Sequence, residues 1–164
     1  VRPSRLGYSR RMRIGVISDT HNYLDPKLSQ VFQGVAHILH AGDIGRPWLI
    51  LALEQIAPVT AVLGNTDIAS GFKETAVIVL GGRKFLIHHI LDPKNPALVL
   101  RRRIISEQPD VVVFGHTHRQ FCETLGGTLY LNPGYAGPQR PNLPRSVAII
   151  ECDGAQIRTE FKPL

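Results

Sequence analysis

The feature that most constrains this chain is an ending that recurs along it. A short, largely apolar run stops abruptly in a small loop carrying aspartate, histidine or asparagine. Residues 12–17 run into Ser18-Asp19-Thr20-His21, 36–40 into Ala41-Gly42-Asp43, 58–63 into Gly64-Asn65-Thr66-Asp67, and 110–114 into Gly115-His116-Thr117-His118. Runs this continuously apolar, without strict alternation, read as strands buried on both faces, as in a parallel sheet. Two helical patterns separate the first three. Pro26 opens one, with Leu28, Val31, Phe32 and Val35 at helical spacing. The other spans 47–56, with Trp48, Leu49, Ile50, Leu51 and Leu53 expected as its buried face. A βαβαβ order requires parallel strands joined by right-handed crossovers.

The second half changes style. Residues 75–80 and 83–88 read as strands turned at Gly81-Gly82, and 97–107 as a helix with Leu98, Ile104 and Ile105 inward. A β-rich remainder turns at Gly126-Gly127 and Asp153-Gly154 around a Pro/Gly loop over 132–144. With 164 residues, 43% of them hydrophobic, and no linker between 12 and 164, the expectation is one α/β domain over 12–164. Two packed sheets flanked by helices suit that order.

Charge restricts the partners. Nineteen Lys and Arg against thirteen Asp and Glu give +6, but Arg2, Arg5, Arg10 and Arg11 fall in an opening segment that holds no acid. Residues 1–11 therefore read as a flexible basic extension, and a nucleic-acid partner is not favoured for the rest. No run approaches the roughly 20 apolar residues that cross a bilayer, so no membrane partner is expected. The opening segment lacks the apolar stretch of a secretory signal, and Cys122 and Cys152 make neither a disulfide framework nor a zinc motif. A cytoplasmic location is expected.

The polar loops carry the chemistry. Ligands of open α/β sheets bind beyond the carboxyl ends of the strands, so Asp19, His21, Asp43, Asn65, Asp67, His88, His89, His116 and His118 should converge. These are oxygen and nitrogen donors without thiolate, which suit manganese, iron, cobalt, nickel or zinc. They are too many for one tetrahedral ion and suit two ions sharing a carboxylate. Two divalent ions offset by Asp19, Asp43 and one hydroxide retain positive charge, which favours an anionic, phosphoryl substrate.

In this order and spacing, Asp19-Thr-His21, Gly42-Asp43, Gly64-Asn65-Thr-Asp67, His88 and Gly115-His116-Thr-His118 resemble the calcineurin-like metallophosphoesterases, in particular the small bacterial and archaeal phosphodiesterases. The resemblance implies a four-layer αββα sandwich with two mixed sheets. It implies Asp19, His21 and His118 on a first metal, Asp43 bridging, and Asn65, His88 and His116 on a second. Asn65 would also approach the substrate phosphate, and Asp67 would orient a ligand or loop. The implied activity is hydrolysis of a small phosphodiester or nucleotide-like substrate by a metal-bridging hydroxide, with manganese the first expectation for the ions.

Three positions depart from the family pattern. Thr66 stands where many members carry a histidine that assists the leaving group. His89 follows His88 and is expected either to supply that missing acid or to point away. Tyr135 follows Asn132-Pro133-Gly134 where serine is usual, to line the pocket or stack on a base. Arg140 and Arg145 read as solvated loop cations, with contact to a phosphate as the alternative. Two other functions stay open: a non-catalytic scaffold of the same fold that binds protein partners, and a nuclease using the basic extension. A homo-oligomer is a further expectation, through edge strands near the C-terminus.

Overall fold

The computed structural model describes residues 11–68, 71–154 and 156–164. The expected extension, apart from Arg11, lies outside them. Among the described residues, ten strands form two five-stranded mixed sheets. In the first, β1 (Met12–Ile17), β2 (His37–His40) and β3 (Val59–Ala61) run parallel, with β9 (Ser146–Asp153) antiparallel to β1 and β10 (Gln156–Pro163) outside it. In the second, β5 (Arg83–His88), β6 (Val111–Val113) and β8 (Thr128–Pro133) run parallel, edged by antiparallel β4 (Thr75–Leu80) and β7 (Gln120–Leu125).

Apolar residues on both strand faces produce the layers. Ile14, Val16, Leu39, Phe85, Ile87, Val111, Val113 and Leu131 pack between the sheets. Ile17, Ile38 and Ile149 face outward against α1 (Leu28–Val31) and α2 (Trp48–Glu54). Leu86, Val112 and Tyr130 do the same against α3 (Leu98–Glu107). The result is the expected α/β sandwich. Among the described residues no helix is long and apolar enough to cross a membrane.

The helices differ from expectation in extent and facing. α1 is a single turn: Phe32 caps it, and Gly34, at φ +78°, turns the chain so that Phe32 and Val35 are buried from outside the helix. In α2 only Leu49, Ile50 and Leu53 are buried, while Trp48 and Leu51 are exposed. In α3, Leu100 and Ile104 face the sheet, and Leu98, Val99 and Ile105 face solvent. A short helix on a flat sheet buries one narrow stripe, so apolar residues beyond it stay outside.

Candidate metal centre

The loops at the carboxyl ends of β1, β2, β3, β5 and β6 meet at one place. Asp19 leaves β1 fully buried. Its Oδ2 accepts from Ser18 Oγ at 2.7 Å and from the His116 backbone N–H at 3.1 Å. Its Oδ1 is buried with no hydrogen-bond partner. An orphaned buried carboxylate oxygen is costly unless something else satisfies it. Facing that atom are His118 Nε2 at 3.2 Å, His21 Nε2 at 3.9 Å and His89 Nε2 at 3.9 Å.

Asp43 is arranged in the same way. Its Oδ1 accepts from the Thr66 backbone N–H at 2.9 Å, leaving Oδ2 between His89 Nε2 at 3.4 Å and His21 Nε2 at 3.8 Å. Asn65 Oδ1 lies 3.0 Å from both His89 Nε2 and His116 Nδ1. Donors about 2.1 Å from a tetrahedral ion stand about 3.4 Å apart. Asp19, His21 and His118 offer donor atoms within 4.8 Å of one another, as do Asp19, Asp43 and His89, and Asn65 Oδ1 joins His116 to the second set. Donor chemistry, spacing and the orphaned Asp19 Oδ1 all fit divalent metal ions.

The backbone is strained where the site is built. Of eight non-glycine residues with positive φ among those described, five are Asp19, His21, Asp43, His116 and His118, between 44° and 70°. Each such residue costs of order 1–3 kcal/mol and persists only where its surroundings enforce it. Two glycines allow the loops to close together. A Cβ on Gly64 would lie 2.0 Å from Asp43 Oδ1, and one on Gly115 2.0 Å from Ser18 Oγ.

His88 is not brought to this cluster. It points to the other side of its sheet, where Nδ1 meets Thr75 Oγ1 at 2.8 Å in a cleft lined by Lys73, Glu74 and Val77. Successive strand residues face opposite ways, so with Phe85 and Ile87 between the sheets it is His89 that reaches the site. His89 Nδ1 is 2.7 Å from the Ala41 carbonyl oxygen, so it carries the proton and donates, leaving the Nε2 lone pair for the cluster. That nitrogen is not free to act as a leaving-group acid. Burial opposes a charge on His89, but its contact with Asp43 and the charge of Asp19 outweigh burial and raise its pKa. Burial likewise pushes the Asp43 carboxyl up, and its contacts with the His89 ring and the Thr66 backbone N–H reverse this and hold it well below the ordinary range.

Asp67 braces the loops. Its carboxylate accepts the backbone N–H groups of Gly64, Ile44 and Gly45 at 2.8, 3.1 and 3.0 Å, locking the Asp43 loop to the Asn65 loop. Two further residues brace the loops. Asn132 donates to the Gly115 carbonyl and Thr117 Oγ1, and buried His40 accepts the Gly42 N–H on Nδ1. His40 Nε2 must then donate to Thr20 Oγ1, which donates to the Ile44 carbonyl. Burial pushes the His40 pKa down to about 3. Tyr135, expected to line the pocket or stack on a base, packs beneath the site histidines. It is fully buried, its ring 4.7 Å from His118 and 6.0 Å from His21, its hydroxyl donating to the Pro138 carbonyl. Arg145 is not a solvated cation, since it pairs with buried Asp25 at 2.6 Å. Arg140 is exposed.

The profile of the calcineurin-like phosphoesterase superfamily domain matches residues 12–155. A protein of Methanothermobacter thermautotrophicus named "Probable metallophosphoesterase" is 34% identical over 162 residues, covering 92% of this chain and 91% of the relative. The solved structure of an archaeal phosphodiesterase is 25% identical with a TM-score of 0.74, covering 92% of this chain and all of that one. Zinc-bound Vps29 of Entamoeba histolytica is 25% identical with a TM-score of 0.68, covering 93% of this chain and 99% of that one. The chain belongs to the calcineurin-like phosphoesterase superfamily.

Proposed function

We propose that this protein is a phosphodiesterase working with two divalent transition-metal ions, manganese first among them, held by Asp19, His21 and His118 on one side and by Asn65, His89 and His116 on the other, with Asp43 shared. The observation that carries this is the orphaned Asp19 Oδ1 beside Asp43 Oδ2, both facing imidazole nitrogens at 3.2–3.9 Å. When bound, such ions supply a nucleophile at neutral pH and neutralise the phosphoryl oxygens. The chain's own residues do the rest. Asp19, Asp43 and His89 form a buried floor, whereas Asn65, Thr66 and His116 are exposed and form the lip where a phosphodiester enters. With Oδ1 of Asn65 turned to the histidines, its amide N–H group remains to donate to a phosphoryl oxygen. Among the described residues no free imidazole stands at the lip to protonate the leaving group, so the departing alkoxide takes its proton from water.

Free Cys122 and Cys152 accord with a reducing, cytoplasmic setting. The likeness to Vps29 supports a second reading, a scaffold that binds protein partners, and the complete donor set weighs against it. The deciding experiment is hydrolysis of bis-p-nitrophenyl phosphate with manganese, nickel or cobalt. Turnover by the wild type and its loss in Asp43→Asn are expected. Metal binding without turnover in either protein would favour the scaffold.

A further inference from the structure

An open cleft of about 660 Å³ is lined by Tyr23, Asp25, Lys27, Gln139, Arg140 and Arg145. Its charges are unequal. Arg145 and Asp25 neutralise one another, whereas among the described residues neither Lys27 nor Arg140 has a carboxylate within ion-pair distance. Arg140 is exposed, yet its position is defined: its guanidinium carbon lies 5.3 Å from the centroid of the Tyr135 ring, which rests on His118 and His21. The segment that carries it is stiff. Pro138, Pro141 and Pro144 fall within seven residues, the Leu143 N–H bonds to the Arg140 carbonyl, and Arg145 ties the far end to Gly137 and Asp25. The cation is thus held beside the metal centre before any ligand arrives, which lowers the ordering cost of binding.

The metal centre accounts for the scissile phosphate, so a second fixed cation outside it calls for a second anion on the same substrate. A planar guanidinium suits phosphate oxygens, which it can bind in pairs. The cleft also has the volume of a small-ligand site. We propose that this cleft binds a non-scissile phosphate, and that the protein prefers phosphodiesters carrying a terminal phosphomonoester, with Arg140 the residue that selects them. This rests on the phosphodiesterase reading and names the substrate class within it.

The test compares a thymidine dinucleotide with its 5′-phosphorylated form, in the wild type, Arg140→Ala and Arg140→Lys. Wild type should favour the phosphorylated form by about tenfold or more in kcat/KM, carried by KM. Arg140→Ala should bring that ratio close to one, and Arg140→Lys should leave an intermediate value. Equal use of both forms by the wild type, or an undiminished preference in Arg140→Ala, would overturn the proposal. If neither dinucleotide is hydrolysed, the phosphodiesterase reading fails separately. The cleft is then judged by equilibrium binding of the fluorescently labelled phosphorylated dinucleotide: about tenfold weaker binding by Arg140→Ala supports it, and equal binding overturns it.

Discussion

His89 Nε2 lies 3.4 Å from Asp43 Oδ2, with the other ring nitrogen of His89 held on the Ala41 carbonyl. The histidine is thereby a fixed electron-pair donor at the point where the two halves of the site join. Replacing it should remove a ligand. For His89→Ala we expect turnover to fall by about a hundredfold or more, more than an outer bracing residue costs, together with loss of one bound ion. The loss should be equal for esters with good and poor leaving groups, whereas His88→Ala should retain both ions. A selective loss on poor leaving groups, read from an aryl ester series, would restore His89 as a proton donor.

The neighbouring histidines also show where sequence reasoning stops. The hairpin of β4 and β5 is legible to the residue, because Gly81-Gly82 and the apolar runs mark its limits. Which of His88 and His89 faces the site is not, since Phe85, Leu86 and Ile87 are all buried and an all-apolar strand carries no alternation to read. The same loss of contrast affects the helices. Leu98 and Ile105 look like core residues but lie outside the stripe of Leu100 and Ile104 that the sheet covers. The donor set was legible because its residues close separate strands. The partners that Asn132 and His40 brace are not legible, because they belong to loops that meet only in the folded chain.

Asp67 accepts three backbone N–H groups from two loops. Asp67→Ala leaves them without that acceptor, and we expect a loss of about 2–3 kcal/mol in urea unfolding together with weaker metal binding. Asp67→Asn, which keeps an acceptor oxygen, should lose less. Equal stability of Asp67→Ala and wild type would show that the loops hold themselves.

Gly115 has no room for a side chain. A Cβ there would stand 2.0 Å from Ser18 Oγ and 2.8 Å from Asp19 Oδ2. Gly115→Ala should cost about 3 kcal/mol and displace the Asp19 carboxylate, so thermal stability and metal affinity should fall together. Unchanged affinity in a folded variant would refute so tight a contact.

His40 makes stability depend on pH. Its pKa falls from the ordinary 6.5 to about 3 in the folded chain, so between these values the unfolded chain holds a proton that the folded one lacks. Stability is then full above about pH 6.5 and declines as the pH falls through this window, by up to about 1.4 kcal/mol per pH unit. Metal-free protein unfolded in urea between pH 4.5 and 7 should show this slope, and His40→Gln should flatten it. The same slope in both proteins would assign it to other groups.

The most direct test of the central claim is an anomalous difference map from crystals grown with manganese. Two peaks are expected, one among Asp19, His21 and His118 and one among Asn65, His89 and His116, with Asp43 Oδ2 touching both and His88 touching neither. A single peak, or an ion bound at His88, would contradict the account.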